Sequence, residues 1–377
     1  MAVGLASGGV AMTVVGAYGN GVRGDAEVTV SDAPSFRFEL VSDVEPMYGS
    51  RIRGQIERAA AMFGNPPVEL LVRDGGALPF VLQARLVAGF SAHLSVEVPP
   101  LGARAHSFKL KRLRTRLYVP GNTPKLFPNA ALYRPDAIIL DLEDSVAVDQ
   151  KFAARVLVTH ALNTLAWGDT LRFVRINGIE DARALIGQGV DAFLIPKVES
   201  PEAIQEIAAL LGPTETRIIP ILESALGIER AFEIASSSPR ILGMAIGLED
   251  YVRDIGAQRT ATGEESAWAQ GRVVNAARAA GVQPLASVFS KVDDEEGMYQ
   301  YALQSRLRGF AGVACIHPRQ IAPSHRAFAP SPQEREQARA IVEAFEKEGG
   351  GVLSVQDQMV DAPVYERARR ALEEAVD

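Results

Sequence analysis

Charged side chains in this sequence recur at one kind of place, directly after a short apolar run. Arg217-Ile218-Ile219-Pro220-Ile221-Leu222 ends in Glu223, and the run over residues 241–246 leads through Gly247-Leu248-Glu249 to Asp250. Residues 137–140 give way to Asp141-Leu142-Glu143-Asp144, and residues 171–176 carry Arg175 at their end, next to Asn177. Residues 192–195 precede Lys197 and Glu199, and residues 312–316 precede His317-Pro318. Glu223 and Asp250, from successive strands, would make an oxygen-rich site suited to a hard divalent cation. Neighbouring acids and cations at the same mouth would hold an anionic substrate beside it. An acid in such a position also caps the helix that follows, and either role fits one acid taken alone. The repetition favours a shared site. Asp141, Glu143 and Asp144 stand too close to repel unopposed, so one is expected to pair with Arg175 or Lys197 and another to touch the water shell of the cation.

The elements that must position these residues follow from the same runs. Eight apolar stretches, at residues 117–119, 137–140, 171–176, 192–195, 217–222, 241–246, 284–289 and 312–316, alternate with helical stretches such as 201–211 and 265–280. Parallel strands need a crossover between them, so eight strands alternating with helices predict an α/β fold, a (β/α)8 TIM barrel. Its active site would sit at the C-terminal strand ends. A doubly wound open sheet would call for a glycine-rich phosphate turn after the first strand, and Pro120-Gly121-Asn122-Thr123-Pro124 matches one poorly. Ahead of this barrel, expected over residues 114–330, residues 25–96 read as a small α+β domain. It has alternating strands at 26–30 and 36–40, a helix over 52–63, a strand at 68–72, and an element over 80–93 that fits strand or helix. Residues 1–24 form a glycine-rich arm, flexible or strand-forming, without the basic start of a signal peptide. Residues 97–113 read as a linker, and 331–377 as a C-terminal helical segment.

Composition narrows the classes. With 377 residues there is room for two domains, and a net charge of −7 gives no reason to expect nucleic acid or a membrane as partner. No segment is apolar for long enough to span a bilayer. The single cysteine, Cys315, excludes an intrachain disulfide and a cysteine-built zinc site, which makes a cytoplasmic protein the default expectation. Cys315 and His317 are read as structural.

Arg114-Thr115-Arg116-Leu117-Tyr118-Val119-Pro120-Gly121 and residues 136–146, with Val174-Arg175-Ile176-Asn177, Pro196-Lys197-Val198-Glu199-Ser200, Glu249-Asp250, residues 315–320 and Gln358-Met359-Val360-Asp361-Ala362-Pro363, resemble the citrate lyase beta subunit family within the HpcH/HpaI aldolases. That resemblance implies a lyase cleaving a citryl-, malyl- or citramalyl-type thioester to an acetyl thioester and a 2-oxo acid. It implies Mg2+ on Glu223 and Asp250 and oxyanion stabilisation by Arg175. Arg114 would hold an anionic group, and Lys197 would neutralise the carboxylates beneath the metal. Glu143 and Asp144 are candidate catalytic acids, and Asp141 a substrate contact. Asp361, in the C-terminal segment, would serve the site of a neighbouring subunit, so a trimer or hexamer is implied, with other citrate lyase subunits as possible partners. Lys125 and the basic run from Lys109 to Arg116 would meet the phosphates of CoA, though a solvated linker explains that run equally well. The small domain, through residues 44–53, 72–78 and 84–86, resembles the citrate lyase acyl carrier (gamma) subunit. Arg23 occupies the position of that family's prosthetic-group serine, so no covalent arm is expected and free CoA thioesters are favoured. Departures from the family pattern fall at Ala286, Val313 and Asp357. The rival readings are a non-catalytic carrier or assembly subunit and a pyruvate aldolase acting on free hydroxy-oxo acids.

Overall fold

The computed structural model describes residues 12–102, 112–260, 262–356 and 358–373. Asp357 and the first three residues of the basic run, 109–111, lie outside the described residues. Four strands build the first sheet: β1 (Met12–Gly16), β2 (Ala26–Asp32), β3 (Arg37–Ser42) and β4 (Val68–Asp74), in the order β1-β2-β4-β3. Because β1 pairs antiparallel with β2, from Met12↔Ser31 to Gly16↔Glu27, the small domain begins before the boundary expected at residue 25. Val28, Val30, Leu70 and Val72 alternate inward onto the helices Glu45–Met62 and Pro79–Leu94, in the period of half-buried strands. The element with two readings over residues 80–93 is therefore a helix. Eleven of its residues are buried, since one face covers the small sheet and another packs on the barrel helix Lys151–Thr164. Burial on two faces erases the one-sided stripe by which an amphipathic helix is recognised.

The second unit is a closed parallel barrel of β5 (Thr115–Pro120), β6 (Ala137–Asp141), β7 (Leu171–Arg175), β8 (Ala192–Ile195), β9 (Arg217–Leu222), β10 (Gly243–Ile246), β11 (Gln283–Val288) and β12 (Gly312–Cys315). Each expected strand is present within a few residues of its expected ends. The ring closes through β12 and β5, with Ala314 opposite Arg116. Strand residues facing the helices join the main core, and Ile139, Phe173, Leu194, Ile219 and Leu285 fill the interior.

After helix Ile321–Phe328 comes a C-terminal unit: helix Pro332–Lys347, the hairpin β13 (Leu353–Val355) and β14 (Gln358–Val360), and helix Ala362–Glu373. Ser331 and Glu334 form a reciprocal capping box at its start. It carries a small core of its own, Ala338, Ile341, Val360 and Ala368.

Candidate active site

The C-terminal ends of the barrel strands open into one cavity of about 450 Å3. Glu223 and Asp250 both line it, together with Asp141, Asp144 and Arg175. Glu223 follows β9 directly and is buried. Its Oε1 accepts the Lys197 backbone N–H at 2.7 Å. To donate that bond Lys197 adopts the left-handed backbone region, φ 53°, which costs a residue with a side chain about 1–3 kcal/mol and persists where the surroundings fix it. On the other side, a Cβ at Gly247 would lie 2.5 Å from Glu223 Oε2, so only glycine leaves room for the carboxylate. Burial pushes the Glu223 pKa up to about 7, with the charges of Asp250 and Glu143 adding to it and the Lys197 N–H opposing. Asp250 stands in the first turn of helix Leu248–Asp254, and its Oδ1 is 2.5 Å from Nη2 of the exposed Arg253. Its backbone is thus at a helix start, while its side chain faces the same cavity as Glu223.

This donor set fits a divalent magnesium ion. Two carboxylates converge on one opening, Glu223 is held there by a backbone N–H and a glycine cradle, and Mg2+ commonly takes one or two protein carboxylates with the remaining positions filled by water and substrate. Among the described residues no cluster of three or more His, Cys, Asp or Glu offers an all-protein cage.

Arg175 is the centre of the opposite wall. Its Nε and Nη2 grip Asp141 Oδ1 and Oδ2 at 2.7 and 2.8 Å, a two-pronged contact. Its Nη1 lies 3.0 Å from Glu143 Oε2 and 3.3 Å from Asp144 Oδ2. The guanidinium sits 5.2 Å above the Tyr118 ring, within cation–π range. Burial opposes the charge on both Asp141 and Arg175, but their mutual contact outweighs it, holding the acid below its usual range and the guanidinium above its own. Glu143 is spoken for twice, by Arg175 and by Lys197 Nζ at 2.6 Å, and it does not line the cavity. Burial nonetheless raises its pKa, and the hydrogen bond that Lys197 donates to Glu143 raises that of Lys197. Asp144 lines the cavity with 59% of its side chain exposed, the least constrained of the three acids.

Three expected site residues lie elsewhere. Arg114 precedes β5 at the N-terminal end of the barrel, where its Nη2 is 3.6 Å from Asp136 Oδ1; six residues at about 3.3 Å each put it roughly 20 Å below the mouth. Its expected contact with substrate is therefore corrected to a structural ion pair at the barrel base. Lys125 is exposed on the loop after β5, on the mouth side but outside the cavity, and its Cβ is 3.6 Å from where a Cβ of Gly24 would be. That approach brings the small domain's Arg23-Gly24 turn beside the barrel mouth. Asp361 accepts the Val364 N–H at 3.1 Å as cap of the last helix, and within one chain it does not line the cavity. His317 caps the turn at Pro318–Gln320, and burial pushes the Cys315 thiol up to about 12. Tyr118 and Gly247 were not singled out from sequence, although the alternation Arg116, Tyr118, Pro120 along β5 marks one inward face.

A closed barrel with two acids, a braced arginine and a lysine at its C-terminal mouth defines the class: a TIM-barrel protein with a charged cavity at the ends of its strands. Residues 114–318 match the HpcH/HpaI aldolase/citrate lyase family, and residues 13–92 match the family described as malonate decarboxylase delta subunit. The chain is 39% identical to the citrate lyase subunit beta of Haemophilus influenzae over 71% of its length and 98% of that protein. It is 33% identical to an L-malyl-CoA/beta-methylmalyl-CoA lyase of Cereibacter sphaeroides, over 70% of this chain and 94% of the other. Among solved structures it resembles the CitE protein of Mycobacterium tuberculosis in complex with magnesium, acetoacetate and coenzyme A, with a TM-score of 0.63 and 31% identity over 70% of this chain and 98% of that one. This chain belongs to the HpcH/HpaI aldolase/citrate lyase family.

Proposed function

We propose that this chain is a Mg2+-dependent carbon–carbon lyase that splits a 3-hydroxyacyl-CoA thioester into an acetyl thioester and a 2-oxo acid. The observation that carries the reading is the convergence of Glu223 and Asp250 on one cavity with Arg175 across from them. Glu223 and Asp250 would hold the ion, which supplies Lewis acidity to the hydroxyl oxygen that becomes the ketone. Arg175, fixed by Asp141 and Tyr118, offers donors to developing oxyanion charge without having to reorganise. Asp144, which lines the cavity, would accept the hydroxyl proton as the C–C bond breaks and its electron pair passes into the thioester enolate. Asp361 from a neighbouring copy would return a proton to the acetyl carbon, which makes an oligomer part of the mechanism. Lys197 and Glu143 act as positioning residues, since their contacts are with other protein groups. Free CoA thioesters fit the absence of a serine at Arg23, and Arg23 and Lys125 beside the mouth suit the phosphates of CoA.

The test is a panel of citryl-, malyl- and citramalyl-CoA assayed for acetyl-CoA release with Mg2+ and with EDTA. Cleavage of at least one, abolished by EDTA and by Glu223→Gln, is expected. Release that persists in EDTA, or that Glu223→Gln leaves unchanged, would sink the assignment. A chain that cleaves none of the three but assembles with citrate lyase subunits would support the carrier or assembly role instead.

A further inference from the structure

Arg116 is the largest fully buried side chain among the described residues, 1% exposed, and it faces the interior of the barrel. It is the second residue of β5, two positions below Tyr118 on the strand's inward face, and all three of Arg116, Tyr118 and Pro120 line the cavity. Its Nη2 donates to the Ala286 carbonyl at 2.7 Å. Its Nε has no hydrogen-bond partner, and among the described residues no carboxylate stands within ion-pair distance. The groups that act on its charge are Tyr118, Cys315 and Tyr301, and none is an acid at work near pH 7; burial alone pulls its pKa down to about 10. A buried guanidinium without a counter-ion is costly, and proteins pair such charges or keep them for a ligand. Among the described residues the two other buried arginines are paired, Arg85 with Asp25 at 2.9 Å and Arg172 with Asp191 at 3.2 Å.

The surroundings leave space at the same level. Ala245, Ala286 and Ala314 line the cavity on the three strands next to β5 around that side of the barrel, and Ala314 is the register partner of Arg116. Longer side chains at those positions would fill the floor; alanine extends the cavity down to the guanidinium. Arg175 lies 5.2 Å over the Tyr118 ring, and Tyr118 stands two residues, about 7 Å, above Arg116 along the strand. That spacing suits the two ends of a four-carbon dicarboxylate.

We infer that Arg116 and its alanine-walled recess form a second anion-binding subsite, which selects hydroxyacyl thioesters whose 2-oxo-acid half carries two carboxylates over those whose half carries one. The inference rests on the lyase reading for the identity of the thioester, while the recess itself can be probed without it. The variants are Arg116→Met, which removes the charge at similar volume and so relieves rather than creates a buried burden on folding; Arg116→Lys, which keeps the charge; and Ala286→Leu, which fills the recess and leaves the arginine. With Mg2+ and the full chain, wild type should favour citryl-CoA over citramalyl-CoA in kcat/KM. Arg116→Met should lower the citryl-CoA value about tenfold to a hundredfold, the worth of a charged hydrogen bond, and the citramalyl-CoA value less than threefold. Arg116→Lys should recover part of the preference, and Ala286→Leu should lose it. Equal losses on both thioesters would overturn the inference.

In EDTA, without thioester, thermal protection is read with malonate and succinate against acetate, pyruvate and chloride. Protection by the dicarboxylates that disappears in Arg116→Met supports the subsite even if no thioester is cleaved, in which case the lyase reading alone has failed. Equal protection by chloride and monocarboxylates would show an adventitious ion only and overturn the proposal.

Discussion

Gly247→Ala isolates the least visible part of the proposed metal site. The backbone there, φ −101° and ψ 94°, is open to alanine, so strain in the main chain is not the issue. The new Cβ would fall 2.5 Å from Glu223 Oε2 and 2.8 Å from Glu223 Cβ, closer than real Cβ atoms approach their neighbours. Something must move, and Glu223 cannot retreat far because its Oε1 is tied to the Lys197 N–H. Overpacking of this kind costs about 1–3 kcal/mol. Taken entirely from metal binding, it corresponds to a roughly 5- to 150-fold loss of Mg2+ affinity. Isothermal titration of the full chain with MgCl2 reads that loss directly, and kcat at saturating Mg2+ shows whether added ion recovers it. Gly271→Ala is the control. Gly271 lies in helix Ala267–Ala279 with nothing within 4 Å of its would-be Cβ, so alanine there should stabilise the fold by about 0.5–1 kcal/mol. If Gly247→Ala binds Mg2+ as wild type does, Glu223 does not hold the ion in the pose described, and the reasoning from the glycine cradle fails.

Acid should loosen the barrel through His160, which is buried in helix Lys151–Thr164 and whose pKa burial pulls down to about 4. The unfolded chain takes its proton near pH 6.5 and the folded chain does not, so this contribution is complete above pH 6.5 and is lost as pH falls from there toward 4. It is worth about 3 kcal/mol across that window, and urea midpoints of His160→Gln should fall less steeply with pH than those of wild type. A role for Asp361 in trans predicts complementation. Glu223→Gln and Asp361→Asn should each be inactive alone, and a co-refolded mixture should regain up to about a quarter of wild-type activity, as expected when intact sites pair by chance. No recovery in a demonstrably mixed oligomer would leave Asp361 as a helix cap and nothing more.

The barrel was legible because each of its strands is a short apolar run ended by polar residues, and burial on both faces leaves that signature in any parallel strand. The acids and cations at the strand ends were legible for the same reason, since Asp141, Arg175, Lys197 and Glu223 each mark the place where a run stops. Arg114 was assigned to substrate through the family resemblance, but it borders its strand at the wrong end. A residue before a strand and one after it look alike in sequence, yet they lie on opposite faces of the barrel. The helix Pro79–Leu94 was ambiguous because the small sheet and a barrel helix bury it from two sides.

What sequence could not convey is which of several clustered charges are already satisfied. Asp141, Glu143 and Asp144 differ by at most three positions, yet Asp141 is gripped at both oxygens, Glu143 is shared between two cations outside the cavity, and Asp144 alone keeps an exposed edge toward it. The same accounting separates the arginines. Arg175 is neutralised before any substrate arrives, so it can orient donors but adds little net charge to the cavity, whereas Arg116, bonded to the Ala286 carbonyl, brings a charge with no counter-ion among the described residues. A site with two carboxylates at its mouth and a guanidinium without a counter-ion at its floor is polarised along the barrel axis. An extended polyanion that brings its chelating end to Glu223 and Asp250 and its far carboxylate to Arg116 meets both demands at once, and a shorter oxo acid leaves the floor unsatisfied.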